Sequence, residues 1–209
     1  MLRAKAAGVR VLGYVHTSYG ARPAATVKAE IDAFRQWYNV DGIFLDEGAT
    51  SASALSYYQD IQSYIRSTMP GKLIMINPGV VPDEGYMGVA DVVMIFEDTY
   101  SAYKNWTPPT WVSNYAPSRF AHLIHATNSE TEMRDAASLA FKRRGGYVYI
   151  TNDLLPNPWD SLPPYFASEV TQLSGNSCTA SAGTSPSATT ASTIDSLWAL
   201  VAQLQKLMR

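Results

Sequence analysis

The sequence predicts an α/β protein, a TIM-like (β/α)8 barrel lacking its first two strand–helix units and followed by a linker and a short helix. Three observations carry this: six short apolar runs rich in β-branched and aromatic residues, helix-period segments between them, and polar residues at the C-terminal ends of the runs. Runs that are apolar on both faces belong to parallel sheets covered by helices, because alternation arises only where one face meets water. In order, Leu2 to Ala7 with Gly8 reads as a helix end, and Val9 to His16 is the first strand. Ala25 to Tyr38 then places Val27, Ile31, Phe34 and Tyr38 at helical spacing. Gly42 to Glu47 is the second strand, and Ala54 to Met69 repeats the helical period with Leu55, Tyr58, Ile61 and Ile65. Lys72 to Asn77, Asp91 to Glu97 and Phe120 to Ala126 are the next three strands. Ser129 opens a helix with Glu132 at the capping-box position, and Lys142-Arg143-Arg144 before Gly145 suits its C-terminus. Tyr147 to Asn152 is the sixth strand.

Alternating strands and helices leave an open doubly wound sheet or a barrel. No glycine-rich phosphate turn follows any strand, and polar groups end all six: Tyr14 to Thr17, Asp46-Glu47, Asn77, Glu97-Asp98, His125 and Asn152-Asp153. A barrel rim has that distribution, whereas an open sheet concentrates such groups at one switch point. Six strands are two short of eight, and the chain starts in a helix end that feeds the first strand, so the leading units are the missing ones. The expected organisation is a barrel over residues 1–175, a Ser/Thr/Ala-rich linker over 176–192, and an amphipathic helix over 193–209 bearing Ile194, Leu197, Trp198, Val201, Leu204 and Met208. That helix is expected to dock on its own domain or to support self-association.

Composition narrows the function. The chain has 209 residues, only 16% of them charged, and a net charge of −2, against roughly 25% charged residues in an average domain. No basic stripe offers the footprint of a nucleic-acid binder. No apolar run reaches the roughly 20 residues of a membrane span, and the N-terminal residues carry no signal-peptide pattern. The single cysteine, Cys178, allows no internal disulfide.

Asp46-Glu47 and Glu97-Asp98 each emerge where a run of buried apolar residues ends. Ionised groups there are costly unless paired or used. Carboxyl groups facing one cleft are what glycoside hydrolysis needs, one acid protonating the leaving oxygen while another carboxylate attacks, activates water or stabilises positive charge. The alternative role for Asp46 is to cap the helix that begins between Ser51 and Ala54. Strand alternation sends Asp46 and Glu47 to opposite faces, so both reach one cleft only if the chain bends there. A metal site built from His16, Asp46, Glu97 and His125 is the competing chemistry, and His122 and His125 point to opposite faces of one strand. Tyr14, Tyr19, Trp106, Trp111, Tyr115, Tyr149 and Trp159 lie at or after strand ends, where rings can stack on sugars.

Val11-Leu12-Gly13-Tyr14-Val15-His16-Thr17-Ser18-Tyr19-Gly20-Ala21-Arg22, Val40-Asp41-Gly42-Ile43-Phe44-Leu45-Asp46-Glu47, Ile76-Asn77-Pro78-Gly79 and Ile95-Phe96-Glu97 follow one another in an order and spacing that resembles the spherulin-4 (spherulation-specific) family. The resemblance covers about Leu2 to Leu173. It implies a (β/α)8 barrel in which these strands are the third to the eighth. It also implies an extracellular or cell-surface glycoside hydrolase that cuts within N-acetylgalactosamine-containing stretches of galactosaminogalactan. Asp46, Glu47 and Glu97 are then the catalytic acids, with Tyr14, Tyr19, Arg22 and Asn77 in the cleft, to which the strand-end reading adds His16, His125 and Asn152. No metal and no cofactor is expected. A polysaccharide-binding surface or wall protein without activity is the alternative, the truncated barrel being its cause.

Overall fold

The computed structural model describes residues 2–6 and 8–175. The expected linker, the helix over 193–209 and Cys178 lie outside them. A short helix α1 (Leu2–Ala6) leads into β1 (Leu12–His16), followed by α2 (Ala24–Tyr38), β2 (Gly42–Asp46), α3 (Leu55–Thr68), β3 (Leu73–Ile76), β4 (Val92–Thr99), α4 (Tyr100–Asn105), β5 (Phe120–His125), α5 (Glu130–Lys142), β6 (Tyr147–Ile150) and α6 (Phe166–Gly175). The six strands form one parallel sheet in sequence order. Among the described residues β1 and β6 are its two edges, so the expected six strands are present as an ordered succession and no closed ring is formed among them.

Both faces of the sheet are buried, which explains the unbroken apolar runs. Val15, Ile43, Leu45, Ile74, Ile76, Val93 and Ile95 pack against Val27, Ile31, Phe34, Tyr58, Ile61 and Ile65 of α2 and α3. Leu12, Phe44, Met75, Val92, Met94, Ala121, Leu123 and Tyr149 cover the opposite face, with Trp159 and Phe166 against them. Gly13 permits the close approach of α2, since a Cβ there would sit 2.5 Å from the Phe34 ring. His122 and His125 do lie on opposite faces: His122 is buried beside Tyr103 and Trp106, and His125 packs edge-on to Trp159.

Element ends follow local hydrogen bonding. β1 starts at Leu12 rather than Val9, because the N–H of Val11 is taken by the Asp41 carboxylate at 2.8 Å. Ser129 caps α5 by accepting from the N–H of Glu132, while the Glu132 carboxylate reaches back to the N–H of Asn128, one residue beyond the usual box partner. Arg143 and Arg144 donate to the carbonyls of Tyr103 and Tyr115, tying the C-terminus of α5 to preceding loops.

The β6 edge is closed by a residue with no sequence signal of its own. The N–H of Thr151 turns toward β5, so that of Ile150 faces the open edge, where it donates to the Glu169 carboxyl of α6 at 2.8 Å. Glu169 is 2% exposed and its second oxygen has no partner among the described residues. Burial pushes its pKa up to about 8, the Ile150 N–H offsetting part of the effect. An unfolded glutamate ionises near 4.5, so between that pH and about 8 the unfolded chain binds fewer protons and stability falls as pH rises. Glu169→Gln is expected to flatten that part of the dependence and to raise Tm at pH 8 more than at pH 4, as calorimetry across this range would show.

Candidate active site

The cleft opens at the C-terminal ends of β1 to β4. Asp46 ends β2 on the face that carries Phe44, opposite His16 in register. The next residue breaks alternation. Glu47 has φ of 50°, a left-handed backbone that costs a non-glycine residue roughly 1–3 kcal/mol, and this bend brings it to the cleft wall beside Asp46. Surrounding bonds hold it there. The Glu47 carbonyl accepts from the N–H of Tyr19 at 2.6 Å and from Thr17 Oγ1 at 2.8 Å. The following N–H groups, of Gly48 and Ala49, donate to the Asn77 carbonyl and to Tyr58 Oη. Ser18 and Tyr19 are left-handed as well, with φ of 47° and 55°, and Tyr19 stands 67% exposed at the cleft mouth.

Glu97 reaches the cleft by a different device. Val92 and Met94 face the cleft side, so strict alternation would send Phe96 there and Glu97 to the helices. A register shift between Met94 and Phe96 inserts one residue into β4. Ile95 and Phe96 both turn toward the helices, and Glu97 is re-aimed into the cleft. Asp98, its neighbour, is exposed and accepts from the N–H of Thr99 just before α4.

Asn77 lies between the two acids. Its Nδ2 donates to Asp46 Oδ1 at 2.9 Å and to Glu97 Oε2 at 2.6 Å, one hydrogen to each. Its Oδ1 accepts from the N–H of Gly79 at 2.8 Å, which sets the amide's orientation. Tyr14 Oη donates to Asp46 Oδ2 at 2.8 Å, and Trp159 Nε1 donates to Glu97 Oε1 at 3.2 Å. A continuous line therefore runs Tyr14, Asp46, Asn77, Glu97, Trp159 across four strands and the loop after β6. Burial raises the pKa of Asp46 and of Glu97 above the ordinary carboxyl range, the hydrogen bonds from Tyr14, Asn77 and Trp159 opposing that rise. Burial and the Asp46 charge push Tyr14 far above its ordinary value, so its hydroxyl stays a donor. The cleft has a volume of about 270 Å³ and is lined by Tyr19, Asp46, Glu47, Asn77, Pro78, Gly79 and Glu97.

The remaining predicted residues lie around this line. Arg22 is spent on Glu30 of α2 and on the His16 carbonyl, so it braces the β1–α2 loop. His16 contributes that carbonyl at the end of β1. His125 ends β5, buried behind Trp159, with Nδ1 unpartnered among the described residues and a pKa lowered by burial. Asn152 follows β6 half-buried, outside the hydrogen-bonded line. The helix after β2 is capped by Ser51, whose side chain accepts from the N–H of Ser53, so Asp46 is not used as a cap. The described residues bring together no group of three or more His, Cys, Asp or Glu fit to hold a metal ion, and none of their helices is long and apolar enough to cross a membrane. Trp159 reaches Glu97 from a loop 62 positions along the chain. Its only sequence signal was that of an aromatic residue after a strand.

Fold and site thus define a parallel β/α protein with a pair of half-buried acids at its strand ends. The family profile of Spherulin4, spherulation-specific family 4, matches residues 2–173, and the chain belongs to that family. It is similar to Spherulin-4 of Physarum polycephalum, with 38% identity over 162 residues that make up 73% of this chain and 48% of that protein. The chain therefore spans about half the length of that relative. Among solved structures it is similar to Aspergillus clavatus Sph3 in complex with GalNAc, with a TM-score of 0.70 and 22% identity, covering 81% of this chain and 75% of the other.

Because the Asn77 amide lowers the pKa of both neighbours, Asn77→Ala is expected to raise the titration midpoints of Asp46 and Glu97 together. Carboxyl carbon NMR across pH 3 to 9 would follow both groups, and unchanged midpoints would show that the amide does not couple them.

Proposed function

We propose that the chain is an endo-acting glycoside hydrolase that cleaves N-acetylgalactosamine-containing polysaccharide, galactosaminogalactan-like, by carboxyl acid/base chemistry. The observation that carries this reading is the sharing of one amide by two half-buried carboxyl groups lining an open cleft. A carboxyl group kept protonated by burial can donate to the leaving oxygen, and ionised carboxylates beside it stabilise the oxocarbenium-like charge or attack. Asp46, Glu47 and Glu97 are the catalytic acids in this proposal. Tyr19 offers an exposed ring face for a sugar, while Tyr14 and Asn77 hold the acids in place. His16, His125 and Asn152 lie around these groups as further candidate contacts, while Arg22 acts through its hold on Glu30 and the His16 carbonyl rather than on the sugar. The likeness to a protein crystallised with GalNAc supports the choice of sugar, and the family resemblance supports an extracellular or cell-surface substrate. No step needs a metal or cofactor.

A second reading is polysaccharide binding without cleavage. It is favoured by the exposed ring of Tyr19 at the cleft mouth, which can hold a sugar whether or not the acids act on it.

Reducing-end release from an N-acetylgalactosamine-rich polysaccharide separates the two. Glu97→Gln is expected to lower release by at least about a hundredfold while sedimentation with the polymer persists, and a chelator is expected to leave release unchanged. Binding with no release from either chain supports the second reading. The alkaline limb of the rate profile is expected above the ordinary carboxyl range, because the group acting as acid loses its proton only as pH passes its raised pKa.

A further inference from the structure

A second concavity, of about 390 Å³, lies at the opposite ends of the strands and is lined by Arg10, Asp41, Arg66, Gly71, Lys72, Leu73 and Asp91. Asp41 and Asp91 are used in the same way there. Each precedes a strand and accepts a backbone N–H from the segment beside it, Asp41 Oδ2 from Val11 just before β1 and Asp91 Oδ2 from Ile74 of β3, both at 2.8 Å. Each has its other oxygen on a cation, Asp41 Oδ1 on Lys5 at 2.9 Å and Asp91 Oδ1 on Arg66 at 2.6 Å. Each carboxylate is therefore neutralised by a cation of its own.

Two cations remain over. Arg10 has no hydrogen-bond or ion-pair partner among the described side chains, and Lys72 reaches only a loose 3.9 Å contact with Asp41, which Lys5 already holds more closely. On a chain of net charge −2 this is a local excess of two positive charges facing a concave, half-buried space. Partial burial weakens solvent screening there, and a guanidinium beside an ammonium offers planar and point donors to an anion with several oxygens. Neutral sugars need no such charge, and a single carboxylate would leave one cation unmatched.

We propose that this concavity binds a doubly charged oxyanion, a phosphate or sulfate group, through Arg10 and Lys72. The site is separated from the acid cleft by the length of the strands, about 15 Å, and is independent of the proposed hydrolase reading.

The test is titration of the chain with sodium phosphate and with sodium sulfate, followed by amide NMR shifts against sodium chloride at matched ionic strength. Saturable shifts at Arg10, Lys72 and Gly71 are expected, with a Kd of about 10 mM or tighter. Arg10→Gln and Lys72→Gln remove no short hydrogen bond, and each is expected to weaken binding about tenfold with the circular dichroism spectrum unchanged. Glucose 6-phosphate, and phosphatidylcholine vesicles with and without phosphatidic acid, distinguish a phosphate on a soluble carrier from one on a lipid surface. Shifts that merely follow chloride would overturn the proposal, as would saturable binding that both substitutions leave intact.

Discussion

Two carboxyl groups half-buried side by side repel each other and lose part of their hydration, so a fold that keeps them must supply donors within a few ångströms. The Asn77 amide meets that constraint by giving one hydrogen to Asp46 and the other to Glu97, with its oxygen anchored on Gly79. Tyr14 and Trp159 satisfy the outer oxygens. The geometry works only if β1 to β4 are parallel and in register, because the five side chains come from separate segments with no local connection. The sheet's order is therefore a condition of the site's chemistry.

Two departures from regular structure serve the same end. The inserted residue in β4 turns Glu97 away from the helix core, and the left-handed backbone at Glu47 keeps a second carboxylate at the cleft wall. Both carry a cost in strain or lost pairing. The surrounding structure offsets it through the bonds from Thr17, Tyr19 and Gly48, and through Tyr58, whose buried ring belongs to the helix core. Packing on the helix side thus sets the position of groups on the cleft side.

The same economy operates at the sheet's margins. Asp41 and Asp91, just before β2 and β4, hold N–H groups of the neighbouring segments, and Glu169 covers the N–H that β6 would otherwise leave open. Edge N–H groups left unpaired invite pairing with other chains, and a carboxyl oxygen occupies one such position here. Among the described residues Glu169 has no cation to balance it, and burial raises its pKa to about 8.

Hydrophobic patterning by itself determined the α/β class, the six strands in order, the helices α2, α3 and α5 and the strand ends at which Asp46, Asn77 and Glu97 sit, because periodicity and local capping are properties of neighbouring residues. The motif strings around Tyr14, Asp46, Asn77 and Glu97 were equally legible. Tertiary structure alone decided that Glu47 turns back to the cleft, that a one-residue shift re-aims Glu97, that Arg22 is committed to Glu30, and that Trp159 and Glu169 complete a site and an edge from distant segments. A bend, a bulge and a long-range hydrogen bond are each selected by packing between elements far apart in the chain, and no window of adjacent residues contains the partners that select them.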